Sequence, residues 1–302
     1  MTAGRRGGWK RRKNKMTRGM RKFLIVCGIV ISVGLLLSLV GWILGGMKGL
    51  AGVEDKVSWI SFGGHGAEAR SMKVEPFSSI ALDCDMGSVE LIQSDSFSVE
   101  MSYDKKVGAP EVTVEGETLD ITSQWHKGWW LNFNVFKGRD YADTKVKIYY
   151  PKGTVFKNVQ LENDMGDINL KGVQAEAINV VSNCGDVKLD SVATDSLRME
   201  CDMGDMDAQN IQTKGVDVEA NMGNIKLTGA LGGTTKVSCD MGECVLETKL
   251  DKKYYSIHTD IDMGECSIDG QNVGAVHTIV NDTAENNINV EANAGDVEIN
   301  FR

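Results

Sequence analysis

Two series of oxygen-bearing side chains are the first candidates for chemistry in this chain. Two residues before a recurring glycine stand Asp164, Asn183, Asp202, Asn221, Asp240 and Asp262, and one residue after it stand Asp167, Asp186, Asp205, Asn224, Glu243 and Glu265. Hard oxygen donors of this kind suit Ca²⁺, which takes roughly six to eight of them. If the repeats stack, like carboxylates ~5 Å apart repel by about 1 kcal/mol in water-like dielectric, and by several times that when shielded. A Ca²⁺ ion held between neighbouring repeats by Asp164, Asp167, Asp186, Asp202, Asp205, Asp240, Glu243, Asp262 and Glu265 would relieve that repulsion. Salt screening and the alternation of Asp with Asn relieve it as well. An Asx residue two places before glycine is a sound turn without metal, and the spacing is not that of the glycine-rich calcium nonapeptide. The expectation is therefore turns that need no cofactor, with Ca²⁺ as the one alternative the sequence admits.

The second candidate is aromatic. Trp125, His126, Trp129, Trp130, Phe133, Phe136 and Tyr141 fall within 17 residues, in an insertion over 124–142 that also holds Lys127 and Arg139. Rings with a polar edge stack on sugars and anchor interfaces, and they settle at bilayer surfaces. The same rings could instead pack over the end of a repeat array, which needs a cap. Catalysis has less support. His65, His126, His258 and His277 form no spacing motif, and no nucleophile can be paired with a base. Short coils also leave no room for the long loops that wall the groove of polysaccharide-cleaving β-helices, so the expectation is a protein that is not an enzyme.

The glycine phrase dictates the elements that carry these residues. It occurs at Gly87, Gly166, Gly185, Gly204, Gly223, Gly242, Gly264 and Gly295, and the five from Gly166 to Gly242 are spaced by 19 residues each. A fixed period of that size means stacked coils. Counting from each glycine, apolar residues fall at minus 7, minus 5, plus 2 and plus 4, as in Val159, Leu161, Ile168 and Leu170, or Val216, Val218, Ile225 and Leu227. Polar residues such as Gln160, Glu162, Asn169 and Lys226 alternate with them. Period two on both sides of a turn is strand, corner, strand, with glycine supplying the corner because it accepts positive φ. Position minus 3 is small in most coils (Cys84, Asn163, Ser182, Cys201, Ala220, Cys239, Ala292) and Ile261 in one. A further apolar spot at plus 7 (Val173, Val192, Ile211, Ala230) predicts a short third side. The predicted fold is all-β, a right-handed parallel β-solenoid with coils of about 19 residues, the handedness following the general crossover rule.

Composition sets the surroundings. Residues 1–22 hold ten of the 33 Lys and Arg and no acid, and Phe23–Gly46 then run 24 residues without a charge. That length spans a bilayer as one helix, and the basic flank stays cytoplasmic by the positive-inside rule. The expected layout is a basic cytoplasmic tail (1–22), a transmembrane helix (23–46), a juxtamembrane tether (47–75) and an extracytoplasmic β-solenoid (76–302). Beyond residue 22, 23 bases face 42 acids, which makes nucleic acid an unsuitable partner. Of the seven cysteines, Cys27 lies in the span. Cys244 and Cys266 share the plus 2 position in successive coils, so their Cα atoms are expected about 5 Å apart, within disulfide reach though in a strained in-register geometry, whereas Ala220 separates Cys201 from Cys239. Phe97 to Tyr150 alternate as degenerate coils or hairpins.

The stretch Lys145-Val-Lys-Ile-Tyr-Tyr-Pro-Lys-Gly153, followed by Val159 and the glycine phrase, resembles the bacterial putative-adhesin family of β-strand repeats, a domain family of unknown function. The resemblance covers about residues 76–302 and is best over Val146 to Ile299. It implies a β-solenoid on the cell envelope, often membrane-anchored, and hands over no catalytic residues. The aromatic insertion departs from the pattern. The functional expectation is a non-enzymatic surface protein, an adhesin or scaffold, that contacts an envelope polymer or protein. The alternative is the sensory ectodomain of an envelope-stress system.

Overall fold

Alternation of apolar and polar residues about each glycine becomes, in a computed structural model that describes residues 67–105, 108–123 and 144–302, a stack of strand–corner–strand rungs. Val159, Leu161, Ile168 and Leu170 are buried, and so are the matching residues of the following coils, such as Ile178, Val180, Val187 and Leu189. Strands Val155–Met165, Gln174–Cys184, Ala193–Met203, Met206–Met222 and Ile225–Met241 run parallel and pair residues 19 positions apart, as in Val159–Ile178–Leu197–Val216–Thr235. On the other side of the corner, Ile168–Lys171, Val187–Asp190 and the start of Met206–Met222 form the second wall. A single sheet of 21 strands winds through all of these rungs. The one helical element among the described residues is the 3₁₀ turn Lys252–Tyr254.

Order in space departs from order in sequence at both ends. The strand Asn286–Ala294 lies between Ile225–Met241 and Tyr255–Met263, parallel to both, and Val297–Phe301 lies between Cys244–Thr248 and Cys266–Ile268. The last coil of the chain is thus wedged between the two that precede it. Likewise Ser79–Cys84 pairs directly with Val155–Met165. The corner glycines therefore stack in the order 87, 166, 185, 204, 223, 242, 295, 264. At each step the glycine amide donates to the carbonyl that precedes the next glycine, as in Gly166 N to Cys184 O at 2.8 Å, Gly242 N to Ala294 O at 3.1 Å and Gly295 N to Met263 O at 2.9 Å.

This order corrects the expected adjacency of Cys244 and Cys266. Both pair with Val297, from opposite sides, so they stand two rungs apart, about 10 Å, outside disulfide reach. Cys201 and Cys239 are separated by Ala220 as expected. The third side also shows a correction. A register shift sets Ile211 against Gly229, so Leu231, not Ala230, is the buried residue there. Six residues after the glycine a second corner appears that the pattern did not announce. Gly172, Ser191 and Asn210 take positive φ at this point, 58° at Ser191 and 53° at Asn210.

Antiparallel strands close the stack. Glu111–Glu115 covers Thr118–Ser123 at one end, beside the series Lys145–Pro151, Ser98–Asp104 and Ala67–Lys73. Val276–Ile279 and Gln271–Asn272 close the other end. Short or acid-bearing terminal strands discourage edge-to-edge pairing. The strand Ala67–Lys73 belongs to the stretch read from sequence as a tether, so the sheet begins ahead of Pro76. Among the described residues no helix is long and apolar enough to cross a membrane. The basic tail, the span Phe23–Gly46 and the aromatic insertion lie outside the described residues.

Candidate functional site

Stacking brings the two acidic series together on one corner of the solenoid. With Asn293 inserted between Asp240 and Asp262, the first column reads Asp85, Asp164, Asn183, Asp202, Asn221, Asp240, Asn293, Asp262, so that carboxylate and amide alternate from Asp164 onward while Asp85 and Asp164 stand on adjacent rungs. The Nδ2 of Asn183 donates to Asp164 Oδ1 at 2.6 Å, that of Asn221 to Asp202 Oδ1 at 2.7 Å, and that of Asn293 to Asp240 Oδ1 at 2.6 Å. From Asp164 onward neutral amides thus keep successive carboxylates two rungs apart, about 10 Å, close to the Debye length at ordinary salt.

The second column uses a different device. Asp167 Oδ1 accepts the backbone amide of Asp186 at 3.0 Å, Asp186 Oδ1 that of Asp205 at 3.1 Å, and Asp205 Oδ1 that of Asn224 at 2.8 Å. Asn224 continues the pattern to the amide of Glu243, and Asp296 to that of Glu265. Each of these aspartates so satisfies a corner amide of the next rung. The Asp205 amide, reinforced by Lys188, holds the Asp186 carboxyl below its usual range against the opposing effect of desolvation. Among the described residues no group of three or more His, Cys, Asp or Glu gathers as a metal centre.

A measurable consequence follows from the alternation. Asn221→Asp would set three carboxylates in succession, at roughly 1 kcal/mol of repulsion per neighbouring pair in water-like dielectric, and would remove the amide donor to Asp202. The melting temperature is expected to fall at low ionic strength and to recover in salt. Calcium at matched ionic strength is expected to raise the parent's melting temperature no more than monovalent salt does. A saturable calcium-specific rise, absent from an Asp202→Asn/Asp205→Asn variant, would show instead that the columns hold ions.

Between the columns lies a third that sequence reasoning passed over as the variable middle residue. In rung order it reads Met86, Met165, Cys184, Met203, Met222, Met241, Ala294, Met263, with in-register pairs Met165–Cys184, Cys184–Met203, Met203–Met222 and Met222–Met241. Met165, Met203, Met222, Met241 and Met263 are 43–67 % exposed. A single exposed apolar residue is ordinary, but a continuous stripe is not. The signal was present in the sequence, since methionine fills six of the eight middle positions.

Behind the corner, the small residues at minus 3 do more than fit. Asn163 is buried and its Nδ2 donates to the carbonyls of Gly87 at 2.9 Å and Gly166 at 2.7 Å. Cys201 Sγ lies 3.6 Å from the carbonyls of both Gly185 and Gly204, and Cys239 bridges Gly223 and Gly242 in the same way. These side chains supply donors to glycine carbonyls that turn inward, which is why Ser, Cys and Asn recur at this position.

The aromatic candidates Trp125, His126, Trp129, Trp130, Phe133 and Tyr141 lie outside the described residues, but the ends of their segment are placed. Ser123 pairs with Cys84 and Lys145 with Ser88. Asp85 N donates to Ser123 O at 3.0 Å and Ser88 N to Thr144 O at 2.9 Å. Residues 124–143 therefore leave and rejoin the sheet at the same corner, where the adjacent rung has only Asp85-Met86-Gly87. Elsewhere the described surface offers shallow depressions, such as one of about 330 Å³ bordered by Gln209, Lys226 and Arg302. Of the histidines, His258 meets Thr278 Oγ1 at 3.0 Å.

A family model described as Toastrack DUF4097 matches residues 77–301, most of the chain and all of its parallel rungs. The chain belongs to the Toastrack DUF4097 family. This agrees with the resemblance read from the Tyr-Pro-x-Gly strand end and the glycine phrase. Three of the solved structures similar to this chain are the following. A putative adhesin from Bacteroides fragilis is 14 % identical, with 78 % of this chain and 97 % of that one covered at a TM-score of 0.46. A putative lipid binding protein from Parabacteroides distasonis is 17 % identical, covering 79 % and 97 % at 0.41. A putative cell adhesion protein from Clostridium sporogenes is 14 % identical, covering 78 % and 100 % at 0.37. A search of the curated proteins finds no match to this chain.

Proposed function

We propose that this Toastrack chain is a non-enzymatic binding module of the cell envelope, tethered by Phe23–Gly46 as a single transmembrane helix, with the basic tail cytoplasmic and the solenoid outside. The observation that carries the reading is the corner face. Eight rungs present methionine-rich side chains between two columns of carboxylates in register, over a length of about 34 Å at ~4.8 Å per rung. The repeat of such a surface suits an extended or multiply contacting partner. The carboxylates favour a partner that carries basic groups, and thioethers adapt to varied apolar shapes. The aromatic insertion is rooted at the same corner and would lengthen the contact.

Photo-crosslinking in intact envelopes tests this. A crosslinker placed at Met222, on the corner, is expected to capture an envelope polymer or protein that one placed at Lys226, on the second wall, does not. Equal capture at both positions would remove the corner from the account. Capture confined to a kinase or regulator on the cytoplasmic tail would favour the sensory alternative.

A further inference from the structure

We propose that Met165, Cys184 and Met203 form a site for a soft monovalent metal ion, Cu(I) or Ag(I). The assignment goes beyond the docking role and does not depend on it. These residues occupy three consecutive rungs at the same corner position, with Cys184 paired in register to Met165 on one side and to Met203 on the other. All three are exposed, whereas the other described cysteines, Cys84, Cys201, Cys239, Cys244 and Cys266, are buried.

Thiolate and thioether sulfur select soft ions such as Cu(I) over the hard ions that carboxylates prefer. Metal–sulfur bonds of about 2.3 Å place two donor sulfurs about 4 Å apart, a separation that side chains on rungs ~4.8 Å apart can reach. Methionine has three rotatable side-chain bonds with which to adjust. Cys184 is the middle donor, and it is the thiol of the column: every other corner residue there is methionine or alanine. Binding at Cys184 exchanges the thiol proton for the metal, so that one S–H bond is lost, one S–metal bond forms and one proton is released to solvent, with no change in oxidation state. The two thioethers complete a three-sulfur set without further proton loss. Asp164 and Asp202 on one side, and Asp167, Asp186 and Asp205 on the other, surround the triad with negative charge, which raises the local concentration of cations. They do not compete as ligands, because oxygen is a poor donor to soft ions.

The test uses the full-length chain in detergent, titrated anaerobically with Cu(I) against a chromogenic Cu(I) chelator. In parallel, Ag(I) serves as a redox-inert probe and alkylation of each cysteine is read by peptide mass. One equivalent of Ag(I) is expected to protect Cys184 from alkylation. Met165→Leu with Met203→Leu, which retains side-chain volume and the thiol, is expected to weaken Cu(I) binding by at least about tenfold, and Cys184→Ser to abolish this site. Met222→Leu with Met241→Leu, one and two rungs beyond the triad, is expected to leave it unchanged. An unaltered affinity in the Met165→Leu/Met203→Leu variant would mean that a thiol alone binds, and would overturn the assignment. So would full retention in Cys184→Ser, or equal losses in both methionine pairs.

Discussion

Gly204→Val is expected to destabilise the solenoid by roughly 3–5 kcal/mol, which for a domain of this size is a fall in melting temperature of about 10 °C. Two costs combine. Gly204 sits at φ 147°, a region in which a β-branched residue is strained by about 1–3 kcal/mol. A Cβ there would also fall on the carbonyl oxygen of Gly185, well inside contact distance. That oxygen belongs to the backbone of the adjacent rung and cannot swing away as a side chain would, so the rungs must separate. Gly223→Val meets Gly204 in the same manner. Gly116→Val is the comparison: its φ is 62° and no atom lies within 4 Å of an added Cβ, so it should pay the strain alone. Thermal unfolding by circular dichroism reads all three. If Gly204→Val and Gly116→Val melt alike, backbone contact between rungs is not what reserves these corners for glycine.

The second large effect concerns the wedged coil. A chain ending at Glu285 is expected to lose order from Tyr255 to Ile268, although none of those residues is altered. Asn286–Ala294 and Val297–Phe301 are the parallel partners through which that segment joins the rest of the sheet. Without them Tyr255–Met263 keeps only the antiparallel Val276–Ile279, and an isolated two-stranded ribbon is marginal in water. Cys266, buried in the intact chain, should then react rapidly with an alkylating reagent while Cys201 stays protected. A stack that followed sequence order would lose only its last rung and keep Cys266 covered, so slow alkylation of Cys266 would show that the Gly264 coil can dock directly on the Gly242 coil.

The two expectations divide what was legible in the sequence from what was not. The strand–corner–strand rung was legible from Val159, Leu161, Ile168 and Leu170 and their equivalents, because side-chain alternation is a local property and a glycine at positive φ is a local demand. The parallel pairing of the five central coils was legible as well, since a constant 19-residue interval leaves one register in which like residues coincide. The corner at Gly172, Ser191 and Asn210 escaped notice because its column repeats no single residue type, although Gly and Asn both tolerate positive φ, and the shift that buries Leu231 arises only from pairing with the preceding rung. The aromatic insertion announced itself by composition alone, and the register of Ser123 and Lys145 on either side of it was needed to place its ends at the acidic corner.

Sequence by itself determined the rung, the polarity of its faces and the residues at its corner. Only the tertiary structure decided the order of the rungs, and with it the chemistry of the columns. In sequence order Asp240 is followed by Asp262, and the alternation of carboxylate with amide breaks. In space Asn293 stands between them and donates to Asp240, so the charges stay separated. The physical reason is that a parallel strand edge carries no record of its neighbour's place in the chain. Any strand of matching register and side-chain pattern can dock on it, and which one does is settled by the total of hydrogen bonds, burial and charge across the finished stack.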